Sequence, residues 1–193
     1  MSAKINKNIL NKELSKSKMA ALEKEAFSFA SKVLEEKKQN YLNSIADHPI
    51  SQELSSGPSG PNVSNTLNGD GNLYSFIGFE NGAKPIEDLL YIINNNTRIK
   101  KVESKQDEFK FEVYTPNLEE LRNVTPMPFE NGNSWLRGIE KGISGFSNYL
   151  YGLLFGSSRS GTGIQSKNKI RRANYKPVKY FTLLYNEFIK SFK

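Results

Sequence analysis

Residues 98–115 read RIKKVESKQDEFKFEVYT. Two runs of strand composition, Arg98–Ser104 and Glu108–Thr115, flank the polar turn Lys105-Gln106-Asp107. The second run alternates, with Phe109, Phe111 and Val113 on one face and Lys110, Glu112 and Tyr114 on the other. Strands this close in sequence pair as a hairpin, which makes the sheet antiparallel. With helical patterns on both sides of the hairpin, the chain reads as α+β. A long N-terminal helix and C-terminal helices pack on a small antiparallel sheet, with long extended loops.

Upstream, Pro85 opens a short helix over Ile86–Asn94 with Glu87 and Asp88 in its first turn. Residues 73–79, LYSFIGF, have strand composition. Residues 51–72, SQELSSGPSGPNVSNTLNGDGN, have the composition of an extended loop broken by Gly57-Pro58 and Gly60-Pro61. Before them, residues 18–47 form a long helix without Gly or Pro, rich in Ala, Leu, Glu and Lys. Its expected face runs through Leu22, Ala26, Phe29, Ala30, Val33, Lys37, Tyr41 and Ile45. A helix of that length packs across a sheet or projects to meet a neighbour. Asp47-His48-Pro49 ends it. Residues 1–17 read as a flexible basic arm.

Downstream, Asn117 caps a short helix that opens with Glu119 and Glu120, and Thr125-Pro126-Met127-Pro128 breaks it. Residues 133–156 form a glycine-studded helix in which Trp135, Ile139, Ile143, Phe146, Leu150 and Leu153 make one stripe. Residues 157–176 are a basic loop, and residues 177–193 a final amphipathic helix. The whole chain, 1–193, is read as one domain.

Charge is unevenly placed. From residue 134 onward there are 11 Lys/Arg and 2 Asp/Glu, a local +9 within a total of +7, so the preceding part is close to neutral. That points to an acidic partner: nucleic acid, an anionic membrane or an acidic protein face. A solvated basic surface explains it equally well. No signal peptide or membrane span is legible, which suggests a soluble chain.

Catalytic parts are missing. There is one histidine, His48, and no cysteine, so a His-based metal site or a nucleophile–His pair lacks its components. His48, beside Pro49 at a helix end, suits a capping role. The loop at Gly57 lacks the Lys-Ser/Thr of a phosphate-binding loop, and Gly161-Thr-Gly163 lacks a third glycine opening a helix. No catalytic, cofactor or metal residue is expected, and the chain does not read as an enzyme. The glycine row from Gly138 to Gly156 fits a crowded core helix better than a membrane element, because Glu140 and Lys141 interrupt it. The arm carrying Arg159, Lys167, Lys169, Arg171, Arg172 and Lys176 could contact phosphates, but only Tyr175 and Tyr180 stand nearby for base stacking.

The long first helix, the segments HPISQELSSGPSGPNVSNTL (48–67) and NLYSFIGF (72–79), the small sheet and the arm SSRSGTGIQSKNKIRR (157–172) resemble a virion protein of tailed bacteriophages. The nearest group is the small neck and tail-completion (tail-terminator) proteins of long-tailed phages. The resemblance covers most of the chain in outline and is specific only at those short segments. It implies an α+β protomer in a homo-oligomeric ring, often a hexamer, where head meets tail, without catalysis. Loops would reach neighbouring copies and other neck or tail proteins, and no membrane would be involved. The arm Arg159–Arg172 would match the family's assembly loops, although such rings often line their channel with acids and this arm is basic. On that footing the 51–72 loop and the 157–176 arm are expected to become ordered over adjacent subunits. Subunit contacts are expected at Pro58, Pro61, Asn62 and Trp135, and partner or non-specific DNA contacts at Arg159, Lys167, Lys169, Arg171, Arg172 and Lys176. The expected location is the virion, after synthesis in the host cytoplasm. The alternatives are a nucleic-acid-binding accessory protein using the basic arm, another tail or baseplate component, and, further off, a membrane-active factor.

Overall fold

The computed structural model describes residues 7–67, 72–105, 108–128, 130–142 and 177–192. Within them the chain is α+β. Helix α1 (Lys7–Asp47) is followed by α2 (Pro49–Ser55), α3 (Leu73–Ile77) and α4 (Pro85–Asn96). The hairpin β1 (Arg98–Lys105) and β2 (Glu108–Tyr114) comes next, then α5 (Leu118–Asn123). A second small pair, β3 (Pro126–Met127) and β4 (Glu130–Ser134), leads into α6 (Trp135–Lys141), and α7 (Phe181–Lys190) closes the described chain.

The hairpin forms as its alternation predicts. Arg98 pairs with Tyr114 and Lys105 with Glu108, antiparallel, with a register shift between Lys101 and Glu103. That shift makes Val102 the unpaired residue of a bulge, and its side chain is exposed. The second pair, Pro126 with Ser134 and Met127 with Glu130, was not foreseen.

Helix α1 begins earlier than its apolar pattern suggests, since Lys7 already lies in it and residues 1–17 are therefore not an arm throughout. At a rise of 1.5 Å per residue its 41 residues span about 60 Å. Among its residues whose burial is described, Leu34, Tyr41, Leu42 and Ile45, all in its C-terminal half, enter the core. That face is rotated from the expected one, and Leu22 and Phe29 remain exposed. Tyr41 stacks on Phe188 of α7, with ring centroids 4.4 Å apart and planes 9° from parallel.

Residues 73–79 are not a strand. Leu73, Tyr74 and Ile77 are buried at positions i, i+1 and i+4 of one helical turn. Asn72 caps the turn by accepting the Ser75 N–H, and Gly78 stops it at φ 88°, where a Cβ would be strained. Residues 51–55 are likewise helical, as part of α2. Helix α6 does not run from 133 to 156: it starts after Ser134, whose side chain caps it, and ends at Gly142 with φ 108° and ψ 148°. Residues 143–176, and with them the rest of the glycine row and the basic loop, lie outside the described residues. Pro177–Tyr180 precede the last helix instead of belonging to it. The core joining these elements includes Ile45, Leu73, Ile77, Leu89, Ile93 and Ile139, all fully buried.

Candidate assembly surface

The outer half of α1 meets the hairpin along one side. Phe27 packs on Phe111 with ring centroids 5.9 Å apart, and Lys101 of β1 forms an ion pair with Glu23. Beside that contact, Ala26, Phe29, Ala30 and Val33 of α1 form one wall of an open groove. Ile99, Phe109, Phe111 and Val113 form the other wall, and Ile189 and Phe192 close the end. The groove encloses about 710 Å³. Phe29 is 70% exposed and Leu22 53%, beside the exposed charges Lys24, Glu25 and Lys32. Contiguous apolar surface left in water marks a site where another molecule, protein, membrane or ligand, is received.

A much smaller cavity of about 180 Å³ lies between α1 and α7. At its rim Lys37 donates to the Ser191 carbonyl and lies over the Phe192 ring, 4.7 Å from its centroid. Among the described residues no group of three or more His, Asp or Glu could hold a metal ion. No helix described is long and apolar enough to cross a membrane.

The loop after α2 is held from within. Glu53, fully buried, accepts the Ser64 N–H at 2.8 Å and the Leu73 N–H at 2.5 Å. Asn72 donates its amide to the carbonyls of Gly57, Pro58 and Gly60 at 2.9 to 3.1 Å. Gly60 sits so close to Ser56 that an added Cβ would lie 2.3 Å from the Ser56 Cβ. Residues 56–67 thus gain their shape from two polar side chains of their own chain, where a neighbouring subunit was expected to supply it.

The sequence-chosen interface residues fare differently from one another. Pro58 and Pro61 are on the surface. Asn62 is half-buried, with both its amide oxygen and its amide nitrogen turned inward. Trp135 is 3% exposed and packs edge-on against Phe79, centroids 6.0 Å apart, so it serves this protomer's own core and offers no surface to another. Arg159, Lys167, Lys169, Arg171, Arg172 and Lys176 lie outside the described residues.

The described segments on either side of residues 143–176 are clasped to each other. The Val178 N–H donates to the Ile139 carbonyl at 3.3 Å. Glu140 accepts the Thr182 N–H and the Thr182 hydroxyl, both at 2.6 Å. A carboxylate from α6 therefore caps α7, whose own N-cap residue, Tyr180, makes no side-chain cap bond. Arg122 reaches the same carboxylate at 3.4 Å. Tyr180 is fully buried, shares a hydrogen bond of 2.5 Å with the Ser51 hydroxyl, and is kept neutral by burial, which pushes its phenol up. His48 caps α2 by accepting the Ile50 N–H at Nδ1, 3.2 Å away, and burial lowers its pKa. Glu53, Asn72 and Glu140 escaped the sequence reading; an Asn directly before Leu73 was the one signal that could have flagged a cap.

Models of known families, curated proteins and solved structures yield no match to the chain.

Proposed function

We propose that the chain is a structural subunit of a tailed-phage particle, assembling as a ring at the neck or tail end in the manner of tail-completion proteins. The observation that carries this is the outer half of α1, which leaves Leu22 and Phe29 in water beside an open apolar groove. A protomer with its own closed core around Ile45, Leu89 and Ile139 has no need of that surface for folding. Assembly gives it a use. The local +9 from residue 134 onward then faces an acidic neighbour, or DNA passing through the particle.

The contact expected of the first loop is thereby extended to the first helix. Residues 56–67 keep their shape through Glu53 and Asn72 and present Pro58 and Pro61 on a fixed surface, a low-entropy contact for an adjoining copy. Sedimentation with electron microscopy of the purified full chain tests the proposal. Closed rings of several copies, unchanged by added salt, are expected. A chain that stays single and instead retards DNA with a steep salt dependence would overturn it in favour of a nucleic-acid accessory role.

A further inference from the structure

A ring repeats one contact head to tail, so each copy carries two different patches that fit each other. The groove between α1 and the hairpin is one of them. Of the described residues that line it, only Glu112 is charged. An occupant that brought a charge of its own would have to bury it against apolar walls, at a cost.

The loop after α2 has the matching character. Residues 54–69 contain no charged side chain, and Pro58, Pro61 and Val63 are exposed along it, Val63 at 45%. Its tip is fixed from within. Proline locks φ at position 61, the Val63 N–H donates to the Pro61 carbonyl at 2.9 Å, and Glu53 holds the N–H of the next residue, Ser64. A projection already ordered loses little entropy on docking. Among the described residues, the other large apolar side chains exposed away from α1 are Tyr91, Val102, Tyr114, Val124 and Leu183. Each has a charged residue beside it or one turn away, which docking would carry towards the groove. The loop does not fill its own groove, and none of its residues lines it. It is tied to α2, which starts where α1 ends at Asp47, whereas the wall Ala26–Val33 lies fourteen to twenty-one residues back along α1, about 20 to 30 Å.

We propose that the Pro61–Val63 tip of one copy seats in the α1–hairpin groove of the next, against Phe29 and Phe111, as the repeated contact of the ring. This contact presupposes the ring and supplies the neighbour's half of it. Because the tip is uncharged, Glu25 and Lys32 at the edge of the groove neither attract nor repel it, and apolar area with shape decides the fit. Joining unlike patches uses both on every copy once the row closes, with no two-fold pairing of α1.

Sedimentation and thiol cross-linking of the full chain and its variants test the contact. Val63→Asp puts a charge on an exposed tip and is expected at the single mass of 21.8 kDa, with an unchanged thermal transition. No native cysteine interferes with the second arm. There, Val63→Cys combined with Phe29→Cys should give a ladder of covalent oligomers with a short bismaleimide, since tip and groove lie too far apart to be bridged within one chain. Either cysteine alone should give none. A wild type that stays single at every concentration reached would overturn the ring and this contact together. Rings that persist in Val63→Asp, or a double variant that yields no ladder from intact rings, would overturn this contact and leave the ring standing. Cross-linking by Phe29→Cys alone would show α1 meeting α1 and would overturn it as well.

Discussion

Glu53 and Leu73 are twenty residues apart in the chain, and the buried Glu53 carboxylate accepts the Leu73 backbone N–H at 2.5 Å. The same carboxylate takes the Ser64 N–H with its other oxygen. One side chain thus closes a polar loop at two points, and α3 starts where the second of them lies.

Replacing Glu53 by Gln keeps the shape but turns one acceptor into a donor facing an N–H. The expected loss is about 1–3 kcal/mol, the range for a buried polar group left unpaired. Limited proteolysis should report it as faster cleavage within residues 57–67. Unchanged stability and cleavage would mean that the loop is held by something else.

Asn72 has two separable duties, and two substitutions tell them apart. Asn72→Ser retains an oxygen for the Ser75 N–H but loses the amide donors to Gly57, Pro58 and Gly60. Asn72→Ala loses both. The difference between them in denaturant unfolding should be about 1 kcal/mol, the usual worth of a cap. Loop cleavage should rise equally in both.

Much of the architecture could be read before any coordinates. The β1–β2 hairpin, α4 behind Pro85 and the capped α5 followed from alternation and end signals, because each is decided by residues next to one another. Asn117 even completes a full capping box with Glu120. Residues 73–77 were misread because a five-residue apolar run fits one helical turn as well as a strand, and the deciding groups, Asn72 and Gly78, stand outside it. The face of α1 was misplaced for a related reason. Its N-terminal seam and its core face are both apolar, and periodicity alone does not say which one the protomer covers. Glu53 and Glu140 were invisible, since a carboxylate becomes a clasp only through partners distant in sequence.

Tyr180→Phe tests the clasp between the C-terminal segment and α2. The Ser51 hydroxyl would be left without its partner at a fully buried position, a cost of about 1–3 kcal/mol. Adding Ser51→Ala should recover part of that loss, because neither polar atom then remains. Additive losses in the double variant would contradict the pairing.

His48 gives the fold a pH dependence of known sign. Burial lowers its pKa in the folded chain below the usual 6.5, so the unfolded chain takes up the proton first. Stability present above pH 6.5 should fall as the pH drops from there towards the lowered value. His48→Asn, which can still cap α2, should remove this part of the slope in denaturant titrations. An identical slope in the variant would place the titrating group elsewhere.

Thiol labelling on the intact chain tests most directly whether the apolar side of α1 is an assembly contact. Leu22→Cys places a lone thiol on that side, and Tyr91→Cys places one at a 70% exposed position on α4. As protein concentration rises, the thiol at position 22 should become progressively protected while that at position 91 stays fully reactive. Equal labelling of both positions at every concentration, alone and in the particle, would contradict an assembly role for α1.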